Sequence, residues 1–170
     1  MHVAETFVSL QGEGSLVGVP SFFIRTSGCN LRCRWCDTPY TSWLPEGRRL
    51  SVVDLVKEAT GSGVGHVVVT GGEPLLRPAL GDLIGDLRAL PKIEEIALTT
   101  NGILLGQHAA GLKAAGLDRV TVSLDSLDDE TLRDYYRGHK ASFKAPARVR
   151  LEPLVSSGLT AGSPMNATEW

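Results

Sequence analysis

The chain has 170 residues, 42% of them hydrophobic and 21% charged, enough for one globular domain that buries roughly 70% of the surface its unfolded form exposes. A formal charge of -2, a pI near 6.1 and a mean hydropathy of +0.02 supply neither the broad basic field that holds nucleic acid nor the apolar bulk of a membrane protein. No run approaches 18 apolar residues, so neither nucleic acid nor a membrane is expected as a partner.

Met1-His2-Val3-Ala4-Glu5 is acidic and lacks the basic region, apolar stretch and small-residue cleavage site of a secretory leader. A cytoplasmic chain is therefore expected, with its thiols kept reduced. The first predicted strand is Ser21-Phe22-Phe23-Ile24-Arg25, which runs into a loop holding all three cysteines of the chain, Cys29, Cys33 and Cys36. The segment after them is rich in Pro, Thr and Trp, so the cysteines sit on an irregular connection. Ser51 is placed to N-cap an amphipathic helix through Ala59, Gly61-Ser62-Gly63 breaks it, and His66-Val67-Val68-Val69-Thr70 is a β-branched strand. The rhythm repeats. Pro78 to Leu90 reads as a helix, Glu95 to Thr99 as a strand, Leu105 to Ala115 as a helix stopped by Gly116, and Arg119 to Leu124 as a strand. Ser126 or Asp128 then caps a helix through Tyr136, and Arg148 to Glu152 is a candidate last strand. The expected division is a core over residues 1–137, followed by 138–170 with that strand and a poorly defined tail.

Alternating helices and near-continuous Val/Ile/Leu strands predict an α/β fold, a mostly parallel sheet with helices outside, joined by right-handed crossovers. Five strands are too few to close an eight-stranded barrel, which leaves an open, partial (β/α) barrel. In such sheets the active site lies at the carboxyl ends of the strands. The cysteine loop, Thr70-Gly71-Gly72-Glu73-Pro74, Thr99-Thr100-Asn101-Gly102 and Ser123-Leu124-Asp125-Ser126 all fall there.

Three cysteines within eight positions ask for a metal. An odd count defeats a complete disulfide framework, and three thiolates hold three corners of a centre while leaving the fourth open to water, substrate or a cofactor. A structural zinc completed by a distant histidine is the competing reading, although His2, His66, His108 and His139 show no paired spacing. Gly61-x-Gly63-x-Gly65 precedes a strand instead of opening a helix and reads as a linker, not a nucleotide loop. The basic stretch from Arg137 to Arg150 reads as a solvated tail.

Cys29-x3-Cys33-x2-Cys36, with Trp35 before the last cysteine, together with Gly71-Gly72-Glu73-Pro74, resembles the signature of the radical S-adenosylmethionine (SAM) enzymes. That resemblance implies the partial barrel of that superfamily and a [4Fe-4S] cluster on the three thiolates. It also implies S-adenosylmethionine chelating the fourth iron, and a 5'-deoxyadenosyl radical that takes hydrogen from substrate. The cofactor carries the radical chemistry, so no catalytic side chain is assigned, and the protein positions. Glycines at 71 and 72 let backbone approach the methionine moiety, and Glu73 offers a carboxylate toward its ammonium. Trp35 either packs over the adenine or fills core.

Within the superfamily two resemblances meet in one chain. Over residues 5–45, Phe7-x-Ser9-Leu10-Gln11-Gly12-Glu13-Gly14, Gly18-Val19-Pro20-Ser21, Gly28-Cys29-Asn30-Leu31 and Cys36-Asp37-Thr38 resemble the 7-carboxy-7-deazaguanine synthases of queuosine biosynthesis. These lyases contract the ring of 6-carboxy-5,6,7,8-tetrahydropterin with loss of ammonia and use Mg2+. That resemblance implies substrate contacts from Leu10, Gln11, Gly12, Arg25 and Thr70. It implies SAM contacts from Trp35, Cys36, Asp37 and Gly72, a magnesium ligand at Thr38, an electron donor such as flavodoxin, and a homodimer. Arg25 brings a bidentate fork for the substrate carboxylate, and hard Mg2+ suits the Thr38 hydroxyl.

Over residues 64–135, Thr70 to Arg77, Ala97 to Gly102, Ala115 to Val120 and Ser123 to Leu127 resemble instead the GTP cyclase of molybdenum-cofactor biosynthesis, from which Ser123 is carried as a SAM contact. That cyclase has an arginine for GTP two residues before the threonine of its Thr-Gly-Gly motif, where this chain has Val68. It also has a second cysteine cluster, absent here. The synthase is therefore the favoured expectation. The cyclase, and a cluster-binding relic without turnover, are the alternatives.

Overall fold

The computed structural model describes residues 1–12, 14–33, 36–43 and 46–123. The predicted helix after Ser126, the strand at Arg148–Glu152, the 137/138 division and Trp35 lie outside them. Ten elements follow in order: β1 (His2–Leu10), β2 (Pro20–Thr26), α1 (Pro39–Ser42), β3 (Arg48–Arg49), α2 (Val52–Ser62), β4 (His66–Thr70), α3 (Leu80–Arg88), β5 (Glu95–Thr100), α4 (Leu105–Ala115) and β6 (Arg119–Val122), with a 3-10 turn at Pro74–Leu76. One six-stranded sheet orders them β3-β1-β2-β4-β5-β6. Strands β2, β4, β5 and β6 are parallel, and β1 runs antiparallel to β2 and β3. The sheet is open, as expected of a partial barrel.

Strand β1 is an addition to the sequence reading. Its first and later residues serve different layers because a bulge lies between Val3 and Glu5: Val3 pairs with Thr26 and Glu5 with Arg25, two steps on one strand against one on the other. The side-chain alternation flips there. Val3 joins the core, while Glu5 and Phe7 face the opposite side with Arg25 and Phe23. No single period runs through the strand, so it hides from a pattern search.

Core side chains come from one face of the sheet, Phe22, Ile24, Val67, Val69, Ile96 and Leu98. They pack against Leu55 and Ala59 of α2, Leu83, Ile84 and Leu87 of α3 and Leu112 of α4. Each such burial stabilises by about 1.5–3 kcal/mol for a full-sized aliphatic chain. Helix α2 starts as predicted. The Ser51 hydroxyl accepts from the Asp54 N–H and the Asp54 carboxylate accepts from the Ser51 N–H, a capping box. It ends later than predicted: Gly61 is absorbed into the last turn, and Gly63, at φ 76°, makes the left-handed stop. Helix α3 is shorter than its predicted span by two residues at each end.

The other face of the sheet is concave. Phe7 and Phe23 stack there with centroids 5.2 Å apart and planes 6° from parallel, and Val68 stands in register with Phe23 and Ala97. Arg119 of β6 donates from Nη2 to Oε1 of Gln11, just past β1, at 2.9 Å. Three strands separate those two elements, so the sheet curls far enough to bring the residue after its second strand within one hydrogen bond of its last.

Candidate active site at the sheet rim

The carboxyl ends of the parallel strands gather the cysteine loop, Gly71 to Pro74, Asn101 and Ser123, as anticipated. Their connections are specific. The Gly28 N–H donates to the Thr41 carbonyl at 2.6 Å, and the Cys29 N–H to the Ser42 carbonyl at 3.3 Å, so α1 carries the start of the cysteine loop. The Gly28 carbonyl accepts from the Glu73 N–H at 2.9 Å. A Cβ on Gly72, whose φ is +51°, would stand 2.6 Å from that carbonyl oxygen. Glycine at 72 is therefore required by the chain's own close packing, before any cofactor is considered.

Glu73 is fully buried and turned into the protein. Its Oε1 accepts from the Leu75 N–H at 2.9 Å and the Thr100 hydroxyl at 2.8 Å, and its Oε2 from the Asn101 N–H at 2.8 Å and the same hydroxyl at 3.0 Å. The carboxylate thus ties the end of β4 to the end of β5. Asn101, not singled out as a site residue by the sequence, extends that tie. Its Nδ2 donates to Asn30 Oδ1 at 2.8 Å and lies 3.9 Å from Cys29 Sγ. The signal for it was present in the polar Thr100-Asn101-Gly102 strand end, but only the fold shows what it reaches.

All three cysteines are half-buried thiols. The Leu31 N–H donates to Cys29 Sγ at 3.3 Å, Cys36 Sγ lies 3.6 Å from Ser42 Oγ, and the Cys36 N–H donates to the Cys33 carbonyl at 3.2 Å. Among the described residues no three Cys, His, Asp or Glu side chains are grouped closely enough to hold one ion. The donor set still suits an iron-sulfur cluster, because three thiols share one loop at one rim and N–H donors approach the Cys29 sulfur, as they do where thiolates are stabilised. Thr38 is at the N-terminus of α1 without capping it; its hydroxyl lies 3.4 Å from Asp37 Oδ1.

Below the rim, on the concave face, Arg25 stands in register with Thr70. Its guanidinium carbon sits 5.0 Å from the centre of the Phe7 ring. Nη1 donates to Glu5 Oε1 and to the Tyr40 hydroxyl oxygen, both at 2.7 Å, and the Tyr40 O–H donates to Glu5 Oε1 at 2.8 Å. The Tyr40 hydroxyl, then Arg25, holds the Glu5 carboxyl below its ordinary range. Burial, then the hydrogen bond to Glu5, pushes the Tyr40 phenol up. Glu5, Phe7 and Tyr40 were not among the expected site residues; the bulge in β1 and the short α1 that place them are not visible in composition or period.

Leu10, Gln11 and Gly12 lie elsewhere. Because β1 is antiparallel to β2, with Leu10 opposite Pro20, they stand at the amino end of the parallel strands, across the length of the sheet from the cysteines. Leu10 is 60% exposed and Gln11 only 6%. A Cβ on Gly12 would meet nothing within 4 Å, so local packing does not demand a glycine there.

A three-cysteine loop after a strand, a Gly-Gly-Glu-Pro turn locked against it and an open, mostly parallel sheet are features of the radical SAM class of fold. The Radical SAM superfamily model matches residues 23–148, and the chain belongs to that superfamily. Among curated relatives, a 7-carboxy-7-deazaguanine synthase of Rhodopirellula baltica is 60% identical over 87 residues, covering 51% of this chain and 34% of its own. A GTP 3',8-cyclase of Petrotoga mobilis is 40% identical over 141 residues, covering 76% of this chain and 43% of its own. The chain thus spans less than half the length of either. A crystal structure of QueE from Escherichia coli superposes with a TM-score of 0.47 at 32% identity over 59% of this chain and 51% of that one. Among the described residues no helix is long and apolar enough to cross a membrane.

Proposed function

We propose that this chain carries out the 7-carboxy-7-deazaguanine synthase reaction on 6-carboxy-5,6,7,8-tetrahydropterin. The observation that carries the reading is the surround of Arg25. One nitrogen of its guanidinium is held by Glu5 and Tyr40, which leaves the other edge of the fork for a carboxylate. The stacked Phe7 and Phe23 rings beside it suit a flat heterocycle. From Arg25 to Ser21, the neighbour of Gln11, is four residues of strand, about 13 Å at roughly 3.3 Å per residue. A substrate with its carboxylate on Arg25 and its ring system along the concave face would run toward the Gln11 amide, with Thr70 and the 10–12 backbone as further contacts.

Cys29, Cys33 and Cys36 would hold a [4Fe-4S] cluster, and Asp37, Gly72 and Ser123, with Trp35, would contact S-adenosylmethionine. Bound there, the two groups supply one-electron reduction and hydrogen abstraction. In this reading Glu73 acts through the backbone it fixes, since its carboxylate is committed to Leu75, Thr100 and Asn101. Thr38, with Asp37 at its side, would offer oxygen to Mg2+. A flavodoxin-like reductant, a homodimer and a cytoplasmic setting belong to the same proposal.

The second reading, GTP cyclisation, is favoured by the longer alignment to the cyclase relative. Against it stands Val68, 7% exposed between Phe23 and Ala97 on the concave face, where that family has an arginine for GTP. Anaerobic reconstitution, with 5'-deoxyadenosine release measured against each substrate, decides. Release with the pterin, accompanied by 7-carboxy-7-deazaguanine, is expected. Release with GTP alone reverses the assignment, and release with neither leaves a cluster-binding relic.

A further inference from the structure

The end of the sheet opposite the cysteines is closed by a chain of hydrogen bonds that all run one way. Arg119 Nε donates to Glu95 Oε1 at 2.8 Å, which anchors the guanidinium, and Nη2 donates to Gln11 Oε1 at 2.9 Å. Gln11 Nε2 donates to Ser21 Oγ at 2.8 Å, and the Ser21 hydroxyl donates to the Val19 carbonyl at 3.2 Å. The loop between β1 and β2 is pinned by the Gln11 N–H on the Val19 carbonyl at 3.0 Å and the Gly18 N–H on the Gln11 carbonyl at 2.8 Å. An arginine has donors and no acceptor. It therefore forces the amide oxygen of Gln11 toward itself, and the serine, whose proton is engaged by Val19, receives the amide nitrogen. The flip of the amide is fixed from both ends, and one N–H of Nε2 is left over among the described residues.

The geometry points to Arg119 as a positioning residue that closes the floor of the concave face and holds the Gln11 amide as a hydrogen-bond donor. A ligand on that face is then recognised at its far end through an acceptor, a ring carbonyl or an unprotonated ring nitrogen. This rests on the reading of Gln11 as a substrate contact given above. It adds which residue sets its polarity and which ligand chemistry that polarity selects.

The test uses two variants of the whole chain and two readouts. Arg119→Met keeps the aliphatic stem and removes the donors. Amide hydrogen exchange over residues 10–19 is expected to quicken by about tenfold or more, as for one lost interaction of ordinary strength. Should that variant fold poorly, Glu95→Gln, which only loosens the anchor of Arg119, is expected to quicken the same peptides to a smaller degree. Gln11→Glu keeps an acceptor for Arg119 but loses the donor. Exchange over 10–19 should stay as in the parent, while KM for the substrate the parent consumes rises about tenfold and kcat changes by less than about twofold.

A merely structural role for Gln11 predicts no such split. Parent-like exchange in Arg119→Met or Glu95→Gln overturns the latch, and an unchanged KM in Gln11→Glu overturns the donor assignment. If the parent turns over neither pterin nor GTP, the functional reading falls, yet the exchange comparison still decides whether Arg119 latches the floor.

Discussion

Replacing Glu73 by glutamine keeps the shape of the side chain and removes one acceptor from a site that uses both. Each carboxylate oxygen receives a backbone N–H, that of Leu75 on Oε1 and that of Asn101 on Oε2. Whichever way the new amide turns, its NH2 meets a buried N–H head-on. The lost bond to a charged acceptor is worth about 1.5–3 kcal/mol, and the stranded donor a further penalty of about 1–3 kcal/mol. Burying a neutral amide is easier than burying a carboxylate and offsets part of this. A net loss of about 2–4 kcal/mol is expected, because the carboxylate it replaces is fully hydrogen-bonded. For a chain of this size that lowers Tm by roughly 5–15 °C, read by circular dichroism on the air-free apoprotein. Thr100→Val, which keeps the Leu75 and Asn101 N–H groups on the carboxylate but removes the hydroxyl and the acceptor it gives the Gly102 N–H at 3.1 Å, should cost less, about 1–2 kcal/mol. A Glu73→Gln Tm within about 2 °C of the parent would refute the claim that this carboxylate holds the rim together.

Other expectations are simpler to state. Gly72→Ala sets a Cβ at a positive φ and 2.6 Å from the Gly28 oxygen, whereas Gly63→Ala, at φ +76°, meets nothing within 4 Å. The second should lose only about 1–2 kcal/mol of backbone strain, and the first should lose clearly more and also impair cluster assembly, measured as iron per chain. Equal losses would mean the close approach of the two loops does not matter. Cys33→Ala should abolish the visible cluster absorbance and bound sulfide after reconstitution; an unchanged spectrum rules out the three-thiolate assignment. Glu5 has its folded pKa lowered from an ordinary 4.5 by Tyr40 and then Arg25. Its stabilisation is therefore complete above that value and drains away as pH falls through the folded one. Glu5→Gln should flatten the acid limb of Tm against pH and leave the neutral region nearly level, and an acid limb identical to the parent's would show that the carboxylate is not linked to folding.

The helices and parallel strands were legible because each carries one unbroken signal: β-branched runs at 66–70, a capping box at Ser51, a left-handed glycine at 116. The rim was legible because polar strand ends stand out against bland turns. What stayed hidden depends on long-range geometry. The bulge that gives β1 two allegiances, the four-residue helix that delivers Tyr40, and the inward turn of Glu73 are each decided by partners 20 or more residues away. The motif at 10–12 stands out in the sequence as unusual, but the end of the sheet it occupies does not, since an antiparallel first strand carries it away from the rim. Single-sequence patterns hold no direction for a strand that stands outside the repeating helix–strand rhythm.

The inserted residue in the first strand works like the notch on a key. Because Glu5 already stands one ladder step from Val3, opposite Arg25 beside Thr26, excising Ala4 would straighten the ribbon and leave every later side chain in the layer it now serves. Removing Thr6 instead, with Phe7 kept opposite Phe23, would seat Glu5 opposite Ile24 in the oily layer, so tolerance to deletion should be high at Ala4 and drop abruptly two positions later.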